Sequence, residues 1–146
     1  VQATPLQMAL VAAVVANDGV LVRPYVVSER FDRDLNILAQ SDPLELRRAI
    51  SPGTAAALSD MMQDVVESGT GRAAQIAGAV VGGKTGTAEI PGSDPHAWFV
   101  GFAQVEDRSV AVAVVVENGG TAGETATGGS VAAPIARAVM EAWLRS

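Results

Sequence analysis

The chain has 146 residues, 49% of them hydrophobic but only 4% aromatic, so it can bury one ordinary core and must pack it with Val, Ala, Leu and Ile. Its net charge of −6, with no cluster of Lys or Arg, argues against nucleic-acid or anionic-membrane binding. Cysteine is absent, which excludes disulfides and thiolate metal sites, and His96 as the only histidine argues against a zinc site.

The longest apolar run, residues 8–16, falls far short of the roughly 20 residues of a membrane span. The sequence opens Val1-Gln2-Ala3, with neither an initiator methionine nor a signal peptide. It is expected to be a piece of a longer protein whose targeting information lies upstream.

Thr4-Pro5-Leu6-Gln7 is a capping box with proline at the first helical position, and it predicts a helix that stops near Asn17-Asp18-Gly19. Leu6, Met8, Leu10, Val11, Val14 and Val15 cover most of its circumference, so burial is expected all round. Between residues 20 and 50 three short strands are expected: Val20-Leu21-Val22, Tyr25-Val26-Val27 and Leu35-Asn36-Ile37-Leu38. Ser51-Pro52 starts a second helix closed by Gly69, with Leu58, Met61, Met62, Val65 and Val66 at helical spacing and both methionines read as core.

From about residue 79 the period changes to two. Strands are expected over residues 79–89, 96–105 and 109–117, the last two as an antiparallel hairpin about Glu106-Asp107-Arg108. Residues 119–129 read as a flexible Gly/Thr-rich loop. Ser130 is expected to cap a final helix striped by Ile135, Val139 and Trp143. The sum is an α+β architecture, an antiparallel sheet flanked by helices.

Lys84 is the only lysine among ten basic residues, and it sits in Gly82-Gly83-Lys84-Thr85-Gly86-Thr87. An ammonium is a compact, rotatable point charge that arginine does not replace. Gly78-Ala79-Val80-Val81-Gly82-Gly83-Lys84-Thr85 fits the phosphate-binding pattern G-x-x-x-x-G-K-[ST] letter for letter. That reading, a P-loop nucleotide-binding protein, needs a buried strand before Gly78 and a helix beginning at Lys84. The sequence supports neither. The other reading puts Lys84-Thr85-Gly86-Thr87 on a strand, as the Lys-Thr-Gly signature of penicillin-binding proteins and serine β-lactamases. An ammonium and threonine hydroxyls attract a carboxylate, glycine lets an acyl group approach the backbone, and a strand N–H stabilises an oxyanion. Strict alternation places Lys84 and Gly86 on one face and Thr85 and Thr87 on the other, so a site using all four must wrap the strand edge.

The surrounding sequence resembles the C-terminal half of the transpeptidase domain of class B penicillin-binding proteins, with the actinobacterial penicillin-binding protein A type nearest. The matching segments are Ala3-Thr4-Pro5-Leu6-Gln7-Met8-Ala9, Ala16-Asn17-Asp18-Gly19, MQDVVESGTG at 62–71, GGKTGTAE at 82–89, HAWFVGFA at 96–103, and residues 132–144. They span nearly the whole chain. The resemblance implies a fold of the penicillin-binding-protein and serine β-lactamase type. Residues 1–146 would be the C-terminal portion of its transpeptidase domain.

Such enzymes are similar in using three motifs, Ser-x-x-Lys, Ser-x-Asn and Lys-Thr-Gly. Val81 stands three positions before the only lysine, so Ser-x-x-Lys is absent; Val15, Asp34 and Val116 stand two before the asparagines, so Ser-x-Asn is absent too. The chain alone is therefore expected to be inactive. By resemblance, Lys84 assists electrostatically and in proton relay, Thr85, Gly86 and Thr87 bind substrate, and the Thr87 backbone N–H donates to the oxyanion. The parent is implied to be a peptidoglycan D,D-transpeptidase that takes stem peptides, is acylated by β-lactams and needs no metal or cofactor. It would sit at the extracytoplasmic face of the cell membrane through an upstream anchor. Its partners would be the missing N-terminal part and the cell-wall synthesis or division machinery.

A serine β-lactamase or penicillin-sensing receptor shares the motif and remains the alternative, as does a non-catalytic module. Ser93, Asp94 and His96 suggest a local triad, but loop polarity is the simpler reading. Trp98 reads as core or cleft rim, Glu89 as solvated and Arg72 as surface.

Overall fold

The computed structural model describes residues 2–146. Thr4 caps helix α1 (Pro5–Ala16) reciprocally: its hydroxyl accepts from the Gln7 N–H at 3.2 Å, and Gln7 Oε1 accepts from the Thr4 N–H at 2.8 Å. The helix ends at Asn17, where Asp18 and Gly19 take left-handed φ values of 49° and 84°. It is not buried all round. Ala12, Val14 and Val15 face the protein, whereas Leu6 and Val11 are more than half exposed.

Four short strands follow: β1 (Val20–Val22), β2 (Glu29–Phe31), β3 (Ile37–Gln40) and β4 (Glu45–Arg48). They form two antiparallel ribbons, β1 with β4 and β2 with β3. The expected first strand is present and the third is displaced to begin at Ile37. Tyr25-Val26-Val27 forms none and lies exposed, since among the described residues no partner strand runs beside it. The Asp32 carboxylate organises the β2–β3 turn: Oδ1 accepts from the Asp34 and Asn36 N–H groups at 2.8 and 2.9 Å, and Oδ2 from Asn36 Nδ2 at 2.9 Å.

Ser51 caps α2 (Pro52–Glu67) by accepting from the Thr54 N–H at 3.1 Å. Val66 is buried on the inner side of this helix, and Met62 reaches β5 (Val80–Ile90). Met61 is 60% exposed, contrary to its reading as core, because one residue along a helix turns the side chain by about 100°.

β5, β6 (Ser93–Val105) and β7 (Arg108–Val116) make one antiparallel meander in that order, with Lys84 opposite Val100 and Val100 opposite Ala113. After β7, irregular turns pass through left-handed Asn118 and Gly119. Thr127, not Ser130, then caps a π-turn over Gly128–Ala132 that runs into α3 (Ala133–Arg145). Ser130 occupies the third position of this box, donating to and accepting from Thr127.

Two helix layers sandwich the sheet. One face carries Val81, Phe99, Ala103 and Val112 against Ala132, Ala133, Ala136 and Met140. The other carries Val100 and Gln104 towards α1, with Gln104 Nε2 donating to the Ala16 carbonyl at 3.1 Å. The expected α3 stripe faces outward: Ile135, Val139 and Trp143 are 46%, 49% and 42% exposed. Alanines take the inner side because they let the helix axis approach the Phe99 layer. Arg108 covers the end of that stripe, its guanidinium 4.7 Å from the Trp143 ring and donating to the Trp143 and Leu144 carbonyls. Among the described residues no helix is long and apolar enough to cross a membrane.

The Asn36 side-chain amide, followed by the Asn36 and Asp34 N–H groups, holds the Asp32 carboxyl below the ordinary carboxylate range. A depressed pKa contributes stability above the unfolded value and loses it as pH falls through the folded one. An NMR titration should give Asp32 a midpoint below that of a free aspartate, with the Asp34 and Asn36 amides losing protection in the same step. Asp32→Asn should remove both effects.

Candidate functional site

β5 lies at the edge of its sheet, so among the described residues its outer backbone groups have no partner strand. Its first half is built for packing. A Cβ on Gly82 would meet the Phe102 ring at 2.5 Å, and one on Gly83 the Phe99 ring at 2.2 Å. Both rings are fully buried, so glycine is needed at both positions for the strand to lie against them. Val81, Gly82 and Gly83 are buried; Lys84 is the first exposed residue that follows.

The Lys84 ammonium donates to the adjacent Thr85 carbonyl, and among the described residues no carboxylate stands within ion-pair distance of it. Lys84, Thr85 and Gly86 border a groove of about 270 Å³, completed by Trp98 and Val100 of β6 and Met8 of α1. Trp98 is half-buried and forms a wall of this groove. A Cβ on Gly86 would find a single neighbour, Trp98 Cβ at 3.4 Å. The protein does not use the space beside Gly86. What it keeps open there is room for something else to lie close to the backbone.

Thr87 opens to the other side of the strand, in a pocket shared with Glu89, Pro95, Glu124, Thr125 and Thr127. The motif thus presents groups on both faces about one edge, the geometry that alternation requires. Thr85 carries a neighbour outside the expected set: its hydroxyl lies 2.6 Å from that of Thr70, in the turn after α2. Glycine on both sides of Thr70 was the only local signal for this contact.

The phosphate-loop alternative fails on this geometry. Residues 80–90 are one continuous strand and no helix starts at Lys84, so there is no loop of backbone N–H groups to cradle a phosphate. The local triad fails as well. Ser93 and Asp94 belong to β6, and none of Ser93, Asp94 and His96 hydrogen-bonds another. His96 Nδ1 instead accepts from the Asn118 N–H at 3.0 Å, tying β6 to the turn after β7. Glu89 and Arg72 are exposed. Among the described residues no group of three or more His, Asp or Glu is placed to hold a metal.

The family model described as penicillin binding protein transpeptidase domain matches residues 1–141. The peptidoglycan D,D-transpeptidase PbpA of Mycolicibacterium smegmatis is 48% identical over 97% of the chain, which spans 29% of that protein. The ceftriaxone acyl-enzyme complex of penicillin-binding protein A from M. tuberculosis superposes with a TM-score of 0.87 at 43% identity, covering 95% of this chain and 32% of that one. The D,D-transpeptidase domain of a peptidoglycan glycosyltransferase from Eggerthella lenta gives 0.85 at 39% identity, over 99% and 32%. The chain therefore spans about a third or less of the proteins it matches.

The two classes of glycine in β5 predict different defects. Gly83→Ala drives a methyl into the Phe99 ring and should cost about 1–3 kcal/mol in chemical denaturation. Gly86→Ala should leave stability within about 1 kcal/mol of wild type while obstructing whatever binds in the groove.

Proposed function

Since the chain belongs to the penicillin-binding protein transpeptidase domain family, we propose that it forms the substrate-binding strand wall of a peptidoglycan D,D-transpeptidase. The observation that carries this reading is an ammonium without a carboxylate partner, Lys84, beside an open groove on an edge strand that continues Thr85-Gly86-Thr87. The parent is acylated by the penultimate D-alanine of a stem peptide, releases terminal D-alanine and passes the acyl group to an amine on another strand. β-Lactams acylate the same serine, which lies in the part of the parent outside this chain.

Each residue has a chemical role. Lys84 attracts the substrate carboxylate and takes part in the proton relay; an ammonium not already paired with a carboxylate among the described residues suits both. Thr85 and Thr87 hydroxyls bind that carboxylate. The space beside Gly86 admits the acyl chain to the strand edge, where the peptide adds as a further strand. The Thr87 backbone N–H donates to the developing oxyanion, with the rest of the hole supplied by the nucleophile. The chemistry takes place at the extracytoplasmic face of the cell membrane, where an upstream segment anchors the parent. The names of the relatives favour transfer over hydrolysis or sensing, which differ only in the fate of the acyl-enzyme.

Fluorescent penicillin tests the assignment. The full-length parent should take up a covalent label, and the chain alone should take up none. A labelled isolated chain would refute the placement of the nucleophile, and an unlabelled parent would point to a non-catalytic module. Lys84→Ala in the parent should slow acylation by at least about a hundredfold. Wild-type acylation of that variant would mean that the lysine has another task.

A further inference from the structure

The contact between Thr70 and Thr85 is a polar feature beside the groove that the Lys-Thr-Gly chemistry leaves unused. The two hydroxyl oxygens are 2.6 Å apart, a short hydrogen bond, and Thr70 comes from a different part of the chain. Its turn is held firmly. Ser68 and Gly71 N–H groups donate to the Asp64 and Val65 carbonyls at 3.0 and 2.9 Å, which fixes the chain on both sides of Thr70. Gly129 presses on it from the far side, where a Cβ would lie 2.3 Å from the Thr70 carbonyl oxygen. Neither hydroxyl has another hydrogen-bond partner among the described residues.

Proton counting gives this contact a direction. Each hydroxyl has one proton to donate, and the pair shares one of the two. A carboxylate is an acceptor only, so once it reaches Thr85 it accepts the hydrogen bond that the Thr85 O–H donates. The 2.6 Å contact then persists only if Thr70 donates to Thr85 Oγ1. Donation into that oxygen polarises its own O–H towards the ligand and fixes its rotor. We infer that Thr70 is a positioning residue: it holds the Thr85 hydroxyl as a donor aimed at an anionic substrate group in the groove. The inference rests on the transpeptidase reading for the identity of that group, and it assigns Thr70 no contact with substrate.

The test uses the full-length protein and the kinetics of acylation by benzylpenicillin, with binding and acylation steps resolved. Thr70→Val removes the donor while keeping the shape, and should weaken the non-covalent complex about three- to tenfold with the acylation rate constant unchanged. Thr70→Ser should restore wild-type binding. In a Thr85→Val background the further Thr70→Val change should have no effect, because the two act as one unit. Unchanged binding in Thr70→Val, a serine variant as weak as the valine one, or additive losses in the double variant would each overturn the inference. Absence of acylation in the wild-type parent would instead overturn the functional reading beneath it.

Discussion

Two phenylalanine rings fix how closely the strand that carries Lys84 lies against its neighbour. Phe99 and Phe102 fill the volumes that side chains at 83 and 82 would take, so β5 can lie close against β6 only as bare backbone. Close packing then stops abruptly at Lys84, where side chains resume and become exposed. The strand is closely packed up to the point where it presents polar groups. Interiors tolerate little change in volume, so this anchoring sets the height of the four following residues relative to the groove. A site on a rigid strand is held better than one on a loop.

The same region accounts for the charge distribution. An acidic chain that uses arginine for every other cation keeps one lysine on the edge strand, with no carboxylate within ion-pair distance among the described residues. An ammonium is a compact point charge, whereas arginine would bring a larger, planar, forked group to the groove that Lys84 shares with Gly86. Membership of the transpeptidase family and an ammonium with no carboxylate partner among the described residues thus point the same way, one from overall likeness and one from local geometry.

Much of the fold was legible because its signals are local. The Thr4-Gln7 box and the Ser51 cap sit within one helical turn of what they satisfy, and the extended apolar runs of β6 and β7 record strands covered on both faces. The errors have a common physical origin. In α3 both Ala133-Ala136-Met140 and Ile135-Val139-Trp143 have helical spacing, and only the sheet opposite decides that small residues go inward. In residues 20–50 β1 pairs with β4 across the intervening β2–β3 ribbon, and β2, β3 and β4 expose most of their side chains, so alternation is weak. Lys84 was found through its neighbours in sequence. Thr70 was not, because its partner lies fifteen residues away and only folding brings them together.

The two tryptophans stand in unlike places. Trp98 walls the groove, whereas Trp143 lies on the outer face of α3 beneath the Arg108 guanidinium. Indole emission responds to its immediate surroundings, so the chain carries both an optical reporter of groove occupancy and an internal reference remote from it. Replacing Trp143 by phenylalanine would leave a single indole, looking directly at whatever enters beside Lys84.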